Sequence, residues 1–154
     1  MPENTSFKTS LAKAMALCSS RELCCSDIRR KTELWGLNSH DTEKVINTLK
    51  MEKYIDEKRY AAAFVKDKFN YGKWGKIKIT AHLRYKKIPE EIIKSTLSTI
   101  DNELYKNTIK DLLSDHSRHI KAKNLYDLKG KLLRYGLSKG FERDLLFDII
   151  NTNY

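Results

Sequence analysis

Two stretches of this chain repeat 45 residues apart (101 against 56): Ile55-Asp56 followed by Tyr60, and Ile100-Asp101 followed by Tyr105. The repeat extends in both directions. One unit reads Ile28…Leu34…Val45-Ile46…Leu49…Tyr54-Ile55-Asp56…Tyr60, and a second reads Ile79…Leu83…Ile88…Ile92-Ile93…Leu97…Ile100-Asp101…Tyr105. A third, truncated, reads Leu132…Phe141…Leu145-Leu146…Ile150. Apolar residues three or four apart between short breaks are the pattern of amphipathic helices. A period of roughly 40 residues is that of a small supersecondary unit, which buries too little surface alone and must stack on its neighbours. The pattern therefore predicts an all-α fold of tandem three-helix repeats, stacked in an elongated array able to curve.

Capping signals divide the chain further. A polar, flexible N-terminus is expected over 1–6, then a helix from Phe7 to Cys18. Ser26, Asp41, Asp56 and Asp101 each stand where a helix N-cap is expected, and Gly36 where a helix ends with φ > 0. Asn70-Tyr71-Gly72-Lys73-Trp74-Gly75 reads as a turn. Lys76 to Thr80 alternates like a strand, but Ile79 and Leu83 stand at i, i+4 and no hairpin partner is present after them, so helix is the reading. Pro89 suits the first turn of the next helix. A last pair is expected over Lys121–Tyr135 and Glu142–Asn151, separated by Gly136 to Gly140. The expected units are 7–70 (an N-terminal helix and the first repeat), 71–118, and a truncated 119–154.

Charge narrows the function. The net charge is +10, and the window Lys66–Lys87 holds eight cations against one acid, Asp67. A local excess of this size favours a polyanion, nucleic acid before an acidic membrane surface. No apolar run approaches the roughly 20 residues that span a bilayer, and Met1–Lys13 has no secretion-signal core. Lys73, Lys76, Lys78, Arg84 and Lys87 are the candidate contacts, with Arg29, Arg30, Arg134 and Lys139 as secondary ones. Trp74, among lysines, either staples a turn to the core, the commoner role, or stacks on an exposed base. Trp35 reads as a core residue.

Motifs for catalysis are absent. There is no GxxxxGK[ST] loop, no GxGxxG and no nucleophile elbow. His116 and His119, with Asp111 or Asp115, fall short of a supported metal site. Cys18, Cys24 and Cys25 are odd in number and form no CxxC, which fits reduced structural thiols in a cytoplasm. The expectation is a binding protein that is no enzyme, is monomeric, and needs no cofactor or metal.

Several segments carry a family resemblance. Tyr54-Ile55-Asp56-Glu57-Lys58-Arg59-Tyr60-Ala61 resembles the φ-D-[DE]-x-R-[FY]-A signature of the RecX family of bacterial recombination regulators. Lys68 to Ile79 resembles the family's segment on the C-terminal side of that signature. Leu83-Arg84-Tyr85-Lys86-Lys87-Ile88 resembles its L-x-x-K-G-I, and Leu132 to Phe141 its R-F-L-x-R-G-F. The resemblance covers roughly 20–151. Lys87 stands where the family usually has Gly, and Gly136 where it often has Leu, which predicts weaker packing in the third repeat.

The resemblance implies a protein that binds RecA and its filament on DNA. Such a protein modulates RecA, usually by inhibition of ATP hydrolysis, strand exchange and stimulated repressor self-cleavage in the SOS response. The residues themselves leave two other readings open: a general basic helical DNA- or RNA-binding module without a RecA partner, and a small metal-dependent nuclease.

Overall fold

A computed structural model describes residues 2–154, with side chains described from Ser6 onward; Met1 and the side chains of the expected flexible tail up to residue 5 lie outside the description. The described residues form helices and turns without strands. The helices are α1 (Pro2–Ser20), α2 (Cys25–Leu34), α3 (Ser39–Met51), α4 (Glu57–Asn70), α5 (Lys76–Tyr85), α6 (Glu90–Leu97), α7 (Asn102–Ser117), α8 (Leu125–Ser138) and α9 (Arg143–Asn153). The alternating Lys76–Thr80 segment is the start of α5.

The helices pack in threes: α1 and α2 on α3, α4 and α5 on α6, and α7 and α8 on α9. The division expected from the repeat places α4 and α7 at the ends of units; by contact each begins one. The aspartates explain the phase. The Asp56 carboxylate accepts from the Arg59 backbone N–H at the start of α4, and the Asp101 carboxylate from that of Leu104 at the start of α7. The repeated Asp-to-Tyr step is thus the opening of a triplet.

Two expected caps are relocated. Ser26 lies inside α2, because its hydroxyl is committed to the Lys86 carbonyl at 2.8 Å; the N-cap is Cys24, whose backbone N–H donates to Asp27 at 3.1 Å. Asp41 also lies inside its helix: Asn38 caps α3 and accepts from the Asp41 N–H at 2.8 Å. In both helices the chain turns in two or three residues upstream of the expected cap, which leaves Ser26 and Asp41 in the first turn. Gly136, expected in a break, is a buried residue of α8.

One core holds Ile28, Val45, Ile46 and Leu49 of the first triplet. A second is continuous through the other two triplets, including Val65, Phe69, Ile79, Leu83, Ile109, Leu132 and Leu146. Each such fully buried aliphatic side chain contributes about 1.5–3 kcal/mol. Gly136 leaves no gap in the second core. A Cβ there would lie 2.4 Å from Leu146 Cδ2, so α8 and α9 approach over the glycine and Leu146 occupies the space. The accessible surface is 9731 Å². A compact monomer of 18.0 kDa would expose about 8,000 Å². The excess is that of an elongated array.

Candidate nucleic-acid interface

The middle triplet carries the local positive charge. Of the eight cations from Lys66 to Lys87, three meet a carboxylate among the described residues: Lys68 its neighbour Asp67 at 3.8 Å, Arg84 Glu90 at 2.5 Å, and Lys86 Asp27 at 2.6 Å. Lys66, Lys73, Lys76, Lys78 and Lys87 have no such partner there, so their charge is available to whatever binds.

The structure places Lys76 and Lys78 on opposite flanks. On a helix, positions 76 and 78 point about 160° apart. Lys76 turns toward the third triplet: its ammonium lies 4.7 Å from the Tyr105 ring centroid, and its backbone N–H donates to the Tyr105 hydroxyl at 2.9 Å. That hydroxyl also bonds Glu142. Burial, and then Glu142, push the Tyr105 phenol far above its ordinary value, so it stays protonated. Lys78 turns the other way, 4.5 Å from the Trp74 ring, where Lys68 also stands at 5.1 Å.

Tertiary packing adds Lys139 to this second flank. Its ammonium donates to the Gly72 carbonyl at 2.8 Å, and burial, then Lys78, hold it below its ordinary value. Gly75 and Gly140 permit the approach. The Gly75 N–H donates to the Lys139 carbonyl at 2.7 Å, and a Cβ on Gly75 would lie 2.2 Å from the Gly140 carbonyl oxygen. Lys68, Trp74, Lys78 and Lys139 therefore share one surface, although Lys139 is distant in sequence.

The other candidates lie elsewhere. Lys73 lines a cleft with Thr108, Asp111 and Arg118. Lys87 has φ 61°, so a lysine holds the left-handed turn where glycine is usual. The turn still closes, with the Ile88 N–H on the Leu83 carbonyl at 3.0 Å. Arg84 is tied to Glu90, and Arg29 to Glu43 at 2.9 Å. Arg30 sits beside Asp27 and Lys86 in a groove at the first junction, and Arg134 lines an apolar groove with Tyr126 and Phe147.

Aromatic rings lie between the lysines. Phe64 of α4 stacks on His82 of α5 at 4.7 Å and 16°, and Trp74 meets both edge-on. Burial, then Lys86 and Lys68, hold the His82 imidazole below its ordinary value, so it is neutral at neutral pH. The pairing of Phe64 with His82 leaves no mark in the sequence. They lie 18 residues apart (82 against 64), and no local motif joins them.

The remaining sequence candidates fall in structural places. Trp35 packs against the first core. The His116 ring lies flat on Tyr135 at 3.7 Å. All three cysteines are free thiols, and burial is the first cause raising each; Cys25, also facing Glu57, is pushed up to about 12. No helix among the described residues is long and apolar enough to cross a membrane.

The class so defined is a helical array of three-helix units with a basic, ring-bearing middle unit. The family model described as "RecX, second three-helix domain" matches residues 56–97, which is α4 to α6 with the Asp56 cap. Regulatory protein RecX of Clostridium botulinum (strain Eklund 17B / Type B) is 32% identical over 125 residues, covering 80% of this chain and 58% of that protein. The protein of the same name from Clostridium beijerinckii is 29% identical over 152 residues, covering 97% and 70%. A crystal structure of regulatory protein RecX superposes with a TM-score of 0.87 at 22% identity, covering 96% of this chain and 74% of that one. RecX from Lactobacillus salivarius gives 0.82 at 20%, covering 97% of each. The two structures establish the shared fold, and the chain is similar to RecX-family proteins over most of its length. It spans little more than half the length of the C. botulinum relative.

Proposed function

We propose that this chain is a non-catalytic regulator that binds the RecA recombinase and its DNA filament and inhibits it. The inhibition covers ATP hydrolysis, strand exchange and coprotease activity. The observation that carries this reading is the set of five lysines in Lys66–Lys87 without a carboxylate partner among the described residues, displayed on a frame of the RecX family. Each phosphate such a lysine neutralises releases counterions, so affinity falls steeply with salt. Several modest contacts on one elongated frame act together and give avidity. The proposed place of action is the cytoplasm, with the chain working as a monomer.

Titration of single-strand-dependent ATP hydrolysis by RecA tests the reading. Inhibition is expected at protein levels too low to coat the DNA. A chain that binds naked and RecA-coated DNA equally, and leaves hydrolysis unchanged, is instead a general nucleic-acid-binding module. Lys78→Glu with Lys87→Glu is the suitable charge reversal, and it should weaken filament binding at least about tenfold at low salt while the melting temperature holds. Lys76 is a poorer probe, because a carboxylate there would face the Tyr105–Glu142 pair.

A further inference from the structure

The basic face carries a column of rings. Tyr60 and Phe64, one turn apart on α4, lie nearly parallel at 6.2 Å and 15°, and His82 of α5 continues the column beyond Phe64. The column starts in the core, since Tyr60 is buried, and rises through half-buried Phe64 and His82. It stops at His82. The other ring neighbours of His82 stand across it instead of parallel to it, Trp74 at 63° and Tyr85 at 56°. Tyr85 is 68% exposed.

Charge surrounds the end of the column. The ammoniums of Lys68 and Lys78 flank Trp74, and Lys139 stands next to Lys78. A surface that only attracts phosphate has no use for rings. A turn that needs only a staple is served by Trp74 against Phe64, without an exposed tyrosine beyond. Rings that offer a π face, set among cations spaced for a backbone, are what sites for single strands use, because every unpaired base has a face to stack. Duplex DNA hides those faces and can use the cations alone.

We propose that the α4–α5 face is a single-strand nucleic-acid site. One unpaired base stacks on the outer face of His82 between Trp74 and Tyr85, while Lys68, Lys78 and Lys139 take the flanking phosphates. The site deepens the nucleic-acid half of the function proposed above and does not depend on RecA.

The experiment is a fluorescence titration of the full chain carrying Trp35→Phe, which leaves Trp74 as the one tryptophan. Three ligands are compared at one salt concentration: oligodeoxythymidylate, an abasic strand of equal length, and a duplex with the same number of phosphates. The intact strand should bind about tenfold more tightly than the abasic one and quench Trp74. Tyr85→Ala and His82→Leu, the second keeping bulk but no π face, should bring the intact strand down to abasic affinity. Lys78→Ala should weaken both strands alike. Equal affinity for intact and abasic strands, a preference for duplex, or binding without quenching overturns the proposal. The titration contains no RecA, so its failure is separate from a failure of the filament reading.

Discussion

The chain has two junctions between triplets, and they are built from different chemistry. Between the first and second, the contacts are polar. Lys86 meets Asp27 at 2.6 Å with both side chains largely covered, Arg59 meets Glu22 at 2.6 Å, and the Cys25 N–H reaches Glu57 at 3.4 Å. Cys24 is the first-triplet residue that enters the second core. One Glu57 carboxylate oxygen is buried there without a partner among the described residues. Between the second and third, the core is continuous: Tyr105 packs on Phe69 and on Phe141, and backbone meets backbone at Gly75 and Gly140. A polar junction depends on charge states and solvent, whereas an apolar one with backbone contact depends on shape. The first triplet is thus attached through contacts that pH and salt can loosen, and the other two form one body. The ring column lies close to both, with Tyr60 lining the first junction and Lys139 reaching in from the second.

Gly75→Ala strikes the apolar junction at its closest backbone approach. The added Cβ would collide with the Gly140 carbonyl, where no flexible side chain can give way. A loss of about 4 kcal/mol is expected in chemical denaturation, felt through α4 to α9. Asp27→Ala comes next, at about 3 kcal/mol, because it strands the covered Lys86 ammonium. Amide exchange should show that loss at the start of α2 and the end of α5, with α7 to α9 still protected.

Acid sharpens the contrast further. Burial pushes the Asp27 carboxyl up, but Lys86 and the Cys24 N–H together hold it below its ordinary value. A carboxylate lowered in the folded state adds stability that is present above its unfolded pKa and lost as pH falls through the folded one. The first junction should therefore loosen below about pH 4, and Asp27→Asn should remove that dependence in a pH-resolved melt. The smallest effect belongs to Glu22→Gln. Its ion pair with Arg59 is partly exposed and should count for about 0.5 kcal/mol, vanishing in high salt.

Much of the fold was legible because it rests on local rules. Asp56 and Asp101 cap helices as their spacing implies, Gly36 ends α2 at φ 78°, and Val45, Ile46 and Leu49 of α3, Ile79 and Leu83 of α5 and Tyr105, Ile109 and Leu113 of α7 are buried where a 3.6-residue period puts them, while Ile77 and Leu104 are exposed. Local rules failed at Ser26 and Asp41, where an upstream residue took the cap and, for Ser26, a distant carbonyl drew the hydroxyl away. The candidate interface was half legible. Lys78 and the charge of the middle unit are visible as composition, but Phe64 and His82 are not, since a stack between two helices leaves no spacing to read.

The amino-acid sequence already carries the helices, the repeat and the basic middle, because helix period, capping and charge are properties of neighbouring residues, and its motifs carry the resemblance to the RecX family. Tertiary structure decided where each triplet begins, which junction is polar, and which lysines share a face with the rings. Those depend on contacts such as Lys139 with Gly72 and Lys86 with Asp27, 67 and 59 positions apart. Only the packed chain brings such groups within reach, since the interactions that join them act over a few ångströms and not along the sequence.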